Sequence, residues 1–178
     1  EDIRLLRIFG DQPTGVWVDV GANHPVQDSV TKNFSDMGWV GINVEPVASF
    51  HELLMRMRPR EINVHAALSD SSGTMIFHQN NSNLDLSTFE EHLASIYRQR
   101  GDEIVEIEVP VMRLADLCEQ HLTVPLIDFL KIDTEGHELA VVKGHDFVRF
   151  PVRVLCAEAT SGHRDEMMAW LAERGMRF

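Results

Sequence analysis

Two cysteines in 178 residues, Cys118 and Cys156, are too few for a disulfide framework or a cysteine-built zinc site. Both sit in apolar segments, where a buried free thiol is the simplest expectation. Cationic side chains are also scarce: 16 Lys and Arg stand against 28 Asp and Glu, a formal net charge of −12. Such a surface repels a phosphate backbone, so no nucleic acid partner is expected, and the one small basic cluster is Arg56, Arg58 and Arg60. No run approaches the roughly 18 apolar residues of a membrane span, and residues 1–15 lack the pattern of a signal peptide. A soluble, cytoplasmic protein is expected. There is no internal repeat and no low-complexity tract, and the length suits a single domain, residues 1–178.

What is present is alternation of two periodicities. Residues 3–9 carry apolar positions at helical spacing; Gly10, Pro13 and Gly15 interrupt them, and VWVDV at 16–20 follows as a buried strand. After GANHP, residues 29–39 read as a helix with Val30, Phe34 and Met37 on one face, and VGINVE at 40–45 is a second strand. A helix over 48–57 stops before Pro59, and INVHAAL at 62–68 reads as a third strand. SDSSG at 69–73 is a turn and TMIFHQ an extended segment.

Residues 80–104, a polar loop and then a helix ending at Gly101, read as a lid or acceptor-selecting insertion. EIVEIEVPVM alternates apolar with acidic residues like an edge strand, where Pro110 would be tolerated. Helix 113–121, strand 127–133, a helix closed by Gly144, strand 152–158 and helix 166–175 complete the chain. Strands apolar on both faces and separated by helices predict an α/β fold: a mostly parallel central sheet with helices on both faces. A last strand pair beyond Phe178 is expected to complete that sheet.

Carboxylates stand at the ends of four strands: Asp19, Glu45, Asp133 and Glu158. Unpartnered burial would cost several kcal/mol for each, so they are expected to face one wet crevice, where parallel sheets bind ligands. Gly21 permits a sharp turn and close ligand approach, with free N–H groups near Asn23. Glu45, 24 residues later, stands where an acid accepts both hydroxyls of an adenosine ribose. Taken singly, each has a plainer reading, an ordinary tight turn for Gly21 and a solvated strand end for Glu45.

Read in order, VWVDVGAN, GINVEP, AALSD, the LST of residues 86–88 and IDFLKIDTEGHE resemble the FkbM-like family of class I S-adenosylmethionine-dependent methyltransferases. The resemblance implies a Rossmann-like fold and methyl transfer to a hydroxyl of a sugar, polysaccharide or natural-product acceptor. It implies that Asp19, Gly21, Ala22 and Asn23 hold the methionine part of the cofactor, Glu45 and Pro46 the ribose, and Ala67 and Leu68 the adenine. It places Asp133 beside the methyl. One departure is that His24 and Pro25 follow DVGAN directly, where the family usually has another glycine soon after.

Oxygen methylation needs a positioned nucleophile and a route for its proton. Asp133, Glu135 and His137 are the candidate catalytic residues, with Asp133 ranked first. Glu138 has a simpler explanation as an acid in the first turn of a helix. Asp133 and Glu158 could instead hold magnesium or another divalent cation that lowers the pKa of the acceptor hydroxyl. Two other readings stay open. One is a non-catalytic S-adenosylmethionine-binding module; the other, a nicotinamide-dependent oxidoreductase, needs a GxGxxG loop that GANHPV does not provide.

Overall fold

A computed structural model of the chain describes residues 2–158 and 164–178. In chain order the elements are α1 (Asp2–Phe9), β1 (Val16–Val20), α2 (Lys32–Asp36), β2 (Val40–Val44), α3 (Ala48–Met57), β3 (Ile62–Val64), β4 (Ala67–Ser69) and β5 (Gly73–Asn80). After a short 3-10 turn (Leu84–Leu86) come α4 (Glu91–Arg100), β6 (Ile104–Arg113), α5 (Leu114–His121), β7 (Ile127–Ile132), α6 (Glu138–Lys143), β8 (Val152–Ala157) and α7 (Arg164–Ala172). Ala159 and Thr160, which follow the last predicted strand, lie outside the described residues.

Among the described residues β1, β2, β3, β7 and β8 form one all-parallel sheet in the order β3-β2-β1-β7-β8. The α/β expectation of a parallel sheet with helices around it is met. Alternation along each central strand divides its side chains between two cores. Val18, Val20, Ile42, Val44, Leu130 and Ile132 pack on one face against Leu117 of α5, Val141 and Val142 of α6, and Met167 and Leu171 of α7. On the other face Trp17 and Phe129 meet Phe9, Phe34 and Trp39. Complete burial of such side chains contributes roughly 1.5–3 kcal/mol each, which favours strands apolar on both faces. Gly41 has no Cβ because the Trp17 ring occupies that space.

The structure departs from the sequence expectations at the 62–68 strand, at Pro110 and at Met37. The single strand expected at 62–68 is divided: β3 joins the parallel sheet, whereas β4 joins a separate sheet ordered β4-β6-β5. The strand containing Pro110 is the middle strand of that second sheet, not an edge; β4 pairs with it only from Val111 to Arg113, so Pro110 falls outside that ladder. Met37 is exposed, because α2 ends at Asp36 and turns its apolar face inward mainly through Phe34. Gly144 closes α6 as expected, in right-handed geometry, and a Cβ there would run into the backbone carbonyl of Ser69.

Strand order sets the location of the site. From β1 the chain builds outward through β2 and β3, then returns to β7 on the other side of β1. The loops after β1 and β7 therefore leave the sheet in opposite directions and open a crevice at its carboxyl edge.

Candidate active site

Gly21 follows β1 with φ of +73°, and Asp133 follows β7, its N–H donating to the Val20 carbonyl at 3.0 Å. The two loops are so close that a Cβ on Gly21 would overlap the Asp133 carbonyl oxygen. Asn23 also takes a left-handed φ, +55°. In the next turn His24 Nδ1 accepts the N–H groups of Val26 and Gln27, at 3.2 and 3.0 Å. A histidine cap thus closes the turn where the resembling family has its extra glycine.

Glu45 is 3% exposed at the end of β2 and accepts the N–H groups of Asn23 and Val47, both at 2.7 Å. Burial pushes its carboxyl up to about 7 against those two donations. It lines a cavity of about 140 Å³ whose other walls include Phe50, Ala67, Leu68, Phe77 and Phe89. Gly21, Asn23 and Pro46 reach the same cavity; Ala22 lines a neighbouring, more polar one of about 630 Å³. The two cavities share Asn23, Phe50, Leu84, Asp85 and Asp133 as walls. The Asn23 amide donates to Asp85 across that shared wall at 2.8 Å, which ties the 80–104 segment to the β1 loop.

The TEGHE turn is held by a residue whose purpose the sequence left as a helix-dipole preference. Glu138, 3% exposed, accepts from the backbone N–H groups of Thr134 and Gly136, both at 3.0 Å, and from the Thr134 hydroxyl. That clamp keeps Glu135 at φ +51° and Gly136 at +105°. Thr88, the last residue of LST, donates its hydroxyl to the Glu135 carbonyl at 2.7 Å. The motif therefore anchors the second sheet to the acid loop.

Glu135 carboxyl oxygens lie within 4.8 Å of those of Asp133 and Glu158. Burial first, then the negative charges of Asp133 and Glu158, push Glu135 up to about 7. Asp133 and Glu158, which the sequence reading paired as possible cation ligands, thus lie close together, and Glu135 joins them. Their spacing matches a hard cation with oxygen ligands and equally a set of acids sharing a proton.

Asp19 lines the larger cavity but is 1% exposed; it accepts from the Thr31 hydroxyl at 3.0 Å and pairs with the Lys131 ammonium at 3.2 Å. His137 lines neither of the two cavities. Its ring lies against Phe89 between the Ser69 hydroxyl, 3.1 Å from Nε2, and Glu90, 3.7 Å from Nδ1; burial lowers its pKa. Lys131 is the site residue that sequence reasoning missed. It stands within the strand run IDFLKI, and its ammonium reaches the Gly21 carbonyl at 2.7 Å as well as Asp19.

The raised acids predict a pH dependence. In the folded chain Glu45 binds its proton more tightly than at the ordinary value of 4.5, so its contribution to stability is present below that pH and is lost as pH rises through about 7. Burial lowers His137 and His145, which favours folding as pH rises through 6.5, so the wild-type profile alone mixes opposite signs. A Glu45→Gln variant isolates the acid. Between pH 5 and pH 8 its stability relative to wild type should improve by up to about 3 kcal/mol, from a shift of two to three pH units. Urea unfolding at both pH values measures this, and parallel profiles would refute the raised carboxyl.

The family described as Methyltransferase FkbM domain matches residues 19–178. No curated protein and no solved structure matches the chain. Among the described residues no helix is long and apolar enough to cross a membrane.

Proposed function

Because the chain belongs to the family of FkbM methyltransferases, we propose that it moves a methyl group from S-adenosylmethionine to a hydroxyl oxygen of a sugar, polysaccharide or natural-product acceptor. The observation that carries this reading is Glu45: a carboxylate at the end of β2, pinned by two backbone donors, in the wall of an apolar, aromatic cavity at the point where the strand order reverses. Its remaining lone pairs suit the two hydroxyls of a ribose, and Phe50, Ala67, Leu68, Phe77 and Phe89 suit a purine ring. The cofactor supplies an electrophilic methyl on a sulfonium.

An oxygen nucleophile must give up its proton during that transfer. Glu135, pushed up to about 7, has the proton affinity of a general base working near neutral pH, and Asp133 stands in the wall common to both cavities. We therefore assign proton acceptance to Glu135 and orientation at the junction to Asp133, reversing the order suggested by strand position alone. The larger cavity, with Gln27, Asn81, Ser82 and Asn83 in its walls, offers amide and hydroxyl partners to a polyhydroxyl acceptor. A second reading has a specific observation behind it. The carboxylates of Asp133, Glu135 and Glu158 could ligate magnesium, which would acidify the acceptor hydroxyl.

Calorimetry at pH 8 tests the cofactor assignment, since Glu45 is ionised there. S-adenosylmethionine and S-adenosylhomocysteine should bind, whereas nicotinamide dinucleotides should not. Glu45→Ala should weaken binding by roughly 1.5–3 kcal/mol, the value of a charge-assisted hydrogen bond. Unchanged affinity in a variant that melts cooperatively would exclude Glu45 from the ribose.

A further inference from the structure

On the second sheet a buried histidine stands between two carboxylates and lines neither cavity. His78 of β5, 7% exposed, is directly opposite Glu106 of β6 in the antiparallel register, and Glu91, the first residue of α4, faces its ring. Its Nε2 is 3.2 Å from a Glu91 oxygen and its Nδ1 3.8 Å from a Glu106 oxygen. Among the described residues Nδ1 has no hydrogen-bond partner. Either neutral tautomer turns a ring lone pair toward a carboxylate, which repels it. The cluster therefore calls for a cation. Both separations exceed the roughly 2.7–2.9 Å of a charge-assisted hydrogen bond. They lie near the roughly 3.3 Å between two ligand atoms that share one tetrahedral ion at about 2.0–2.1 Å.

We propose that His78, Glu91 and Glu106 bind a divalent transition cation of the zinc class, through one ring nitrogen and one oxygen of each carboxylate. Those three atoms lie within 4.8 Å of one another. An imidazole beside two carboxylates favours zinc, cobalt or nickel over magnesium, whereas the Asp133, Glu135 and Glu158 set offers oxygen alone. The Glu91 and Glu106 side chains are 61% and 57% exposed, which leaves the ion an entry side and a position for water. Arg98 is its competitor: the guanidinium reaches Glu91 at 2.8 Å and Glu106 at 3.2 Å. The role of the ion is structural. His78 exchanges backbone hydrogen bonds with Thr88 at 2.9 and 3.1 Å, so an ion there ties α4 to the hairpin of β5 and β6 and to the residue that holds the Glu135 carbonyl.

Metal titration of the full chain tests this without any dependence on turnover or cofactor. After chelator treatment, zinc chloride should shift the ring resonances of His78 in the NMR spectrum of the wild-type protein and raise its melting temperature, whereas magnesium chloride at the same concentration should leave those resonances unmoved. Glu91→Gln combined with Glu106→Gln alters exposed side chains only. It should weaken zinc binding, read by calorimetry, by more than the roughly 10–100-fold lost with an outer-shell partner. Arg98→Gln should strengthen binding, because it removes the competing positive charge. Zinc that leaves the His78 ring unshifted overturns the proposal. So does zinc affinity that the double variant leaves intact, or that is lost instead on Glu158→Gln, since the acid loop would then be the ligand set. Weaker binding by Arg98→Gln would also count against it.

Discussion

Glu135→Gln should lower the turnover of methyl transfer by roughly 10²–10⁴, the usual loss on removing a positioned base, while leaving cofactor affinity within a few-fold. The substitution keeps the shape of the side chain and removes its ability to take a proton. Glu135 is held for that task from two directions: Thr88 fixes its carbonyl, and Glu138 clamps the N–H groups on either side of it. Its carboxyl is raised to about 7 by burial and by the neighbouring acids, so wild-type turnover should climb with pH through that value. The climb should vanish in the variant. Stability moves in the opposite direction, because removing one acid from a crowded set relieves repulsion above pH 7, and Glu135→Gln should melt no lower than wild type. Turnover unaffected by the substitution would reject the base. Chelator separates the second reading: if wild-type turnover collapses and magnesium restores it, the acids are ligands, whereas chelator-insensitive turnover leaves proton acceptance.

Gly21→Ala should destabilise the fold by about 3 kcal/mol or more. A left-handed φ of +73° costs an L-residue roughly 1–2 kcal/mol, and the new methyl must also displace the Asp133 backbone carbonyl. Gly38 provides the control. Its φ is +88°, yet nothing lies within 4 Å of where its Cβ would be, so Gly38→Ala should show the conformational cost alone. The difference between the two variants in urea unfolding measures how tightly the β1 and β7 loops meet. Gly21→Ala should also impair turnover in any fraction that folds, since the carbonyl it pushes belongs to Asp133. Equal losses at the two glycines would mean that the loops do not touch.

The alternation of periods along the chain was sufficient to anticipate the parallel sheet, the helix between each pair of its strands and the acids at the strand ends. These are local properties: a run such as VWVDV or IDFLKI loses its backbone polarity only in a ladder, and its side chains demand cover on both faces. Gly21, Glu45 and Asp133 drew notice for the same reason, because each follows directly from the end of a strand, and Glu135 stands two residues beyond Asp133. Pairing partners are not local. Residues 62–69 read as one extended run, and nothing in that run says that its first half pairs with β2 and its second with β6; the choice depends on a strand more than 40 residues away. The same holds for Pro110, whose place in a middle strand depends on how short β4 is.

Side-chain direction was likewise decided only in three dimensions. His137 and Glu135 are two residues apart in an acid-rich turn, yet the clamp of Glu138 sends one toward Ser69 and the other into the cavity. Asp19 and Lys131 show the limit most clearly. Each reads as an isolated charge inside an apolar strand, and a sequence cannot reveal that parallel pairing sets them directly opposite one another, Asp19 with Lys131, on adjacent strands. The sequence by itself determined which segments become strands and which of them end in chemistry. The tertiary structure decided which charges neutralise each other inside the sheet and which are left at the crevice, because a buried charge persists only where another element brings its counter-ion.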